Sequence, residues 1–243
     1  MTNLDKLLTH NFVTNLLNDS KLILIDYDYK LSDIELIKDP DFSEFEYYIH
    51  NTGFYGVHLL ELCKQLENAL ELFSNFNYSK KEISRGDHIT YNIENYIIRL
   101  SSLTDRVLQT INAVFHLGID ENDVNERVII RNIKVSRTET TKHYNKFKNT
   151  LNGYSRERNT IIHRHSYLDN QLKRIQMFYH LEFTKKILDN KPYFKHFRKK
   201  ELSDFIKEKK EEYHKTNENC FESILPIFDE LNSHYEKMKR KLK

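Results

Sequence analysis

Glycine and proline are scarce in this sequence, with five and three among 243 residues. An all-β chain of many short strands needs such turn formers at each reversal, so helix becomes the default. Cysteine is scarce too. Cys63 and Cys220 stand far apart and form no CxxC pair, which argues against a disulfide framework or a zinc knuckle and fits a reducing compartment. Tryptophan is absent, and nowhere do eighteen apolar residues follow one another. The opening MTNLDKLLTHNF carries acid and base before any apolar run reaches signal length. The expectation is a cytoplasmic protein with no membrane partner.

Core formers are well supplied. Apolar residues make up 39% and charged residues 30%, which is too rich in core formers for wholesale disorder. The length suits one large domain, or a core with extensions, and needs no staple of metal or disulfide. Charge of the two signs is unevenly spread. Residues 1–130 carry 11 Lys/Arg against 21 Asp/Glu, residues 131–174 carry 11 against 3, and residues 175–243 carry 16 against 12. The middle segment therefore has a positive local field. Such a field attracts polyanions such as RNA, and it also arises from solubility alone.

Apolar periodicity places the helices. From about Asp87 to Leu117, Ile93, Tyr96, Ile97, Leu100, Leu103, Val107, Leu108, Ile111, Val114 and Phe115 recur at three- and four-residue steps, with Gly118 at the expected C-terminal cap. The preceding GVHLLELCKQLENALELF repeats the pattern and predicts an antiparallel neighbour. A brief helix is expected over Asp123 to Lys134. Ser136 to Glu139, SRTE, then supplies a capping box for a helix bearing Tyr144, Phe147, Leu151, Tyr154 and Ile161 and ending near His163. Ser166 can cap a fourth, with Leu172, Ile175, Tyr179, Phe183 and Ile187 as its stripe. The expected fold is all-α: an up-and-down four-helix bundle core over residues 55–190, with mainly helical extensions over 1–54 and 191–243. KLILIDYDYK at Lys21 to Lys30 alternates like a strand but has no evident partner, and Pro226 is expected to kink or break the last helical segment.

One stretch concentrates chemistry. Arg156 to Tyr167 reads RERNTIIHRHSY. Cutting RNA without metal needs groups that move protons at the 2′-hydroxyl and the leaving oxygen, and a cation for the phosphoryl oxygens. Histidine suits the first task, and the planar fork of arginine suits the second. On a helix, Arg156, Asn159 and His163 share a face, while Arg158 falls on the apolar seam with Tyr154 and Ile161. An arginine there can extend its head around the helix or serve a site formed with a second chain. The plainer reading of His163 is a helix-terminal histidine favourable to the macrodipole. Arg99 with Asp105 reads as an exposed polar face or an inward support, and Arg137 and His143 read as surface. The tyrosines read as core edges whose hydroxyls reach water. No His and carboxylate set at i and i+4 recurs on facing helices, so neither metal nor cofactor is expected.

The form Arg-Asn-x-x-x-His, spelled RNTIIH by residues 158–163, at the end of the third helix of such a bundle resembles the HEPN family. The resemblance covers roughly residues 55–190. It implies a metal-independent endoribonuclease of the toxin-antitoxin or antiphage kind, acting as a homodimer with two motifs facing one cleft, and it leaves room for an antitoxin or regulatory partner. By that likeness His163 is the acid/base, Arg158 holds the scissile phosphate and Asn159 positions one of them. Arg156, Arg164 and His165 are expected to steer or bind substrate. Where some members carry a tyrosine two places after the histidine, this chain has His165, and Tyr167 stands two places further on. The alternative is a non-catalytic helical module that binds a nucleotide or a protein partner.

Overall fold

The computed structural model describes residues 1–26, 42–74, 83–163, 166–167, 169–179 and 191–243, with backbone alone for 21–26. All regular structure among these residues is helical. The helices are α1 (Asn3–Leu8), α2 (Asn11–Asp26), α3 (Glu44–Leu72), α4 (Arg85–Val114), α5 (Glu126–Ile130), α6 (Ile133–Ser136), α7 (Thr140–His163), α8 (Asn170–Tyr179) and α9 (Pro192–Leu242), with a 3-10 turn at Glu121–Asp123. The all-α helix bundle expected from periodicity is the fold found. Lys21 to Asp26 is helical rather than extended. The remainder of that alternating stretch, and the Phe183 and Ile187 part of the fourth stripe, lie outside the described residues.

Local chemistry sets several helix ends, often not where expected. Ser43 with Glu46, and Ser84 with Asp87, form reciprocal capping boxes at the starts of α3 and α4. The box expected at Ser136 and Glu139 does not form, because Ser136 is the last residue of α6 and the Glu139 carbonyl already accepts the His143 N–H. Asp169, not Ser166, caps α8 by accepting from the N–H groups of Gln171 and Leu172. At the end of α4 the left-handed cap position falls to His116 (φ 47°), and Gly118 (φ 69°) follows two residues later. Pro226 lies inside α9 without ending it.

The chain divides into two compact units, one of Met1–Cys63, Ser102–Thr150 and Glu218–Lys243, the other of Lys64–Ser101 and Leu151–Asn217. In the first, Phe12, Tyr48, Phe115, Phe147, Phe228 and Tyr235 are fully buried. Tyr48 stacks on Tyr235 with ring centroids 5.7 Å apart and donates its hydroxyl to the Val114 carbonyl. A Cβ on Gly56 would stand 2.6 Å from Leu16 Cδ1, so this glycine admits the close approach of α2 to α3. Cys63 and Cys220 are buried free thiols. Burial pushes the Cys220 thiol up to about 11, partly offset by its hydrogen bond with Thr150.

In the second unit, segments of α3, α4 and α9 meet at one polar node. Tyr96 stacks on Tyr213 with centroids 3.9 Å apart and donates its hydroxyl to Asn217 Oδ1 at 2.9 Å. Asn217, fully buried, donates in turn to Glu67 Oε1 at 3.1 Å. Tyr48, Tyr96 and Tyr235 thus lie inside the core with protein partners for their hydroxyls, rather than at its edge with water.

Replacing Asn217 with Leu should cost about 1–3 kcal/mol, because the Tyr96 hydroxyl loses its side-chain acceptor inside the core. Chemical denaturation checks this, and the double variant Asn217→Leu/Tyr96→Phe should recover part of the loss. A second expectation concerns acid. His234 stacks on Phe115 at 3.9 Å, and burial, then Lys237 and Lys134, hold its pKa below the ordinary 6.5. The unfolded ring binds protons more readily, so its contribution to stability is fully present above about pH 6.5 and is lost as pH falls through the lower folded value. Burial depresses His88 in the same direction. Thermal midpoints should therefore drop below pH 6.5, and His234→Phe should flatten that slope.

Candidate active site

The rotation of α7 is fixed by what it buries. Tyr144 and Phe147 are fully buried and Leu151 is 4% exposed. One turn further, the half-buried Tyr154 donates its hydroxyl to Glu212 and shares a hydrogen bond with Thr216, both on α9. Glu157 follows on the same side. Burial pushes its carboxyl up, with Lys209 opposing and Glu212 and Asp169 reinforcing. Turning at about 100° per residue, the opposite side of the helix presents Asn152, Arg156, Asn159 and His163 within an arc of about 60°. Asn152, Arg156, Asn159 and His163 are all exposed.

Arg158 belongs to neither side fully. It is half-buried and about 120° around the axis from Asn152. Its Nη1 donates to Asn159 Oδ1 at 3.1 Å, so the guanidinium turns from the seam toward the exposed face. Arg158 and Asn159 are brought together. His163 is the last residue of the helix and shares no hydrogen bond with Arg158. Arg164 and His165 lie outside the described residues.

Beyond the helix end, the Tyr167 N–H donates to Glu94 Oε1 at 2.7 Å, and Lys209 donates to the Tyr167 hydroxyl at 3.3 Å. Lys209 also binds Glu212 at 2.8 Å. Burial disfavours the charge on Lys209, yet these hydrogen bonds outweigh it and raise its pKa. Tyr167 is thereby tied to both α4 and α9 a few residues past His163.

Asn152, Ser155, Arg156, Asn159 and Thr160 line an open groove along the exposed face. Sequence reasoning selected Arg156 and Asn159 but not Asn152, Ser155 or Thr160. The signal was available in the spacing, since these residues extend the row of His163 back along the helix at steps of three and four. The other ionisable residues weighed from the sequence lie elsewhere. Arg99 donates to Asn95 one turn before it, while Asp105 and Arg137 are exposed and His143 is half-exposed.

With this geometry in place, comparison with known proteins is decisive for the family. The chain matches HEPN_Cthe2314-like HEPN over residues 42–232. It is a HEPN protein. No curated protein and no solved structure gives a significant match. Membership places the HEPN chain in a family of generally ribonuclease-type domains and RNA-related functions. Among its described residues, no helix is long and apolar enough to cross a membrane.

Because Asn159 and His163 are exposed, replacing either with Ala should leave unfolding free energy within about 0.5 kcal/mol of the parent. Urea titration of both variants checks this and separates any functional loss from misfolding.

Proposed function

We propose that this HEPN chain is a metal-independent endoribonuclease in which His163 moves the proton and Arg158 holds the phosphate. The observation that carries the reading is the hydrogen bond from Arg158 to Asn159, which turns a seam arginine toward the helix face that bears His163. The guanidinium has five N–H donors, so one bond to Asn159 leaves others for the phosphoryl oxygens. Asn159 acts here as a positioning residue.

The reaction is transesterification within RNA. His163 takes the proton from a ribose 2′-hydroxyl, the 2′-oxygen bonds to phosphorus, and the bond from phosphorus to the 5′-oxygen breaks. The departing oxygen takes a proton from an imidazolium. The products are a 2′,3′-cyclic phosphate and a 5′-hydroxyl. Arg158 neutralises the charge that gathers on the non-bridging oxygens. Arg158 and His163 are about 140° apart around α7, so two copies of the chain facing each other would let the arginine of one serve the histidine of the other. A homodimer in the cytoplasm, acting as a toxin or antiphage effector under the control of an antitoxin or similar partner, fits this chemistry.

The same angular separation favours a second reading, a non-catalytic module that binds nucleotide or RNA on the exposed face. Purified protein incubated with total RNA in EDTA distinguishes them. Cleavage should appear with cyclic phosphate ends and should fall by about 10²–10⁴ in both His163→Ala and Arg158→Ala. Intact RNA at high protein concentration would support the binding module instead.

A further inference from the structure

We infer that the groove on α7 seats the RNA strand flanking the scissile phosphate, with Asn152, Ser155, Arg156 and Thr160 as its contacts and Gly153 as the gap that lets the sugar-phosphate backbone come close. This deepens the ribonuclease reading and rests on it for the identity of the reacting phosphate. The first support is register. Asn152 and His163 lie on one side of the helix and about 16 Å apart along it, so a strand cut at His163 and running along α7 must pass over the groove.

The second support is the chemistry of the lining. Its five side chains are two amides, two hydroxyls and one guanidinium. These are the groups that hydrogen-bond phosphate and ribose, and no aromatic or aliphatic side chain is among them, unlike the apolar centre of a stable protein interface. The surrounding segment 131–174 carries 11 basic residues against 3 acidic ones, which favours a polyanion over a neutral or basic partner.

The third support is Gly153. It lies inside a 24-residue helix and is exposed, and a Cβ built there meets nothing within 4 Å. A glycine inside a helix costs about 1 kcal/mol relative to alanine, and packing among the described residues does not account for it. It stands at the edge of the groove, between Asn152 and Arg156. Open space at that point is useful to something that approaches from outside.

The experiment uses the full chain carrying His163→Ala, so that RNA is bound without being cut, and a fluorescein-labelled single-stranded RNA of mixed sequence. Adding Gly153→Gln should keep or raise the thermal midpoint, since Gln is the better helix former, and should weaken RNA binding by about tenfold or more. Adding Arg156→Ala should reduce the slope of log affinity against log salt by about 0.7, the signature of one lost phosphate contact on a single strand. Unchanged affinity and unchanged slope would overturn the inference. So would a Gly153→Gln protein that binds RNA normally but changes its sedimentation, which would give the face to a second copy. Failure of the wild-type chain to cut RNA, with the binding losses intact, would reject the catalytic reading and leave the groove as an RNA-binding surface.

Discussion

The rotation of α7 about its own axis decides which of its side chains can meet a substrate. Leu151 enters the core of the second unit, and in the same unit Tyr154 is tied to Glu212 and Thr216. Together these leave the helix no freedom to roll. A shift of one residue would swing every side chain by about 100°, carrying Asn159 and His163 away from solvent and forcing polar groups into apolar surroundings. Burying each large apolar side chain contributes roughly 1.5–3 kcal/mol, so several acting on one helix outweigh any preference of the polar face. The core thus aims the site.

That division of labour explains how much could be read from the sequence. The long helices were legible because a stripe such as Ile93, Ile97, Leu100, Leu103 and Val107 has one period and one physical cause. The ends of α7 were legible in part, since its stripe stops where His163 stands. Local hydrogen bonding was less so. SRTE at Ser136 to Glu139 and the pairs Ser43 with Glu46 and Ser84 with Asp87 look alike as strings, and which of them caps a helix depends on where the preceding turn happens to stop. Pro226 is expected to kink the last segment or break it, and it does not break it: tertiary burial of Phe221, Ile224, Ile227 and Phe228 around it holds α9 continuous despite the missing donor.

For the candidate site the motif itself was plain, while its surroundings were not. Register puts Arg158 at the seam, where it is half-buried, but the string does not reveal that its fork turns out to rest on Asn159. The groove beside these residues is not legible in the sequence, because amides and hydroxyls at helical spacing look like any wetted surface. Lys209 escaped for a different reason. It lies 42 residues from Tyr167, and no local pattern joins a lysine in one helix to a tyrosine after another.

The two thiols described in the fold have a practical consequence. Both cysteines of the chain are sealed from solvent, and a thiol that titrates near 11 holds almost no thiolate at neutral pH. Alkylating reagents and mild oxidants should therefore pass the native protein by and mark it only when a helix swings open. The molecule carries its own clock for opening, and any cysteine placed on its surface would be the sole handle for a dye.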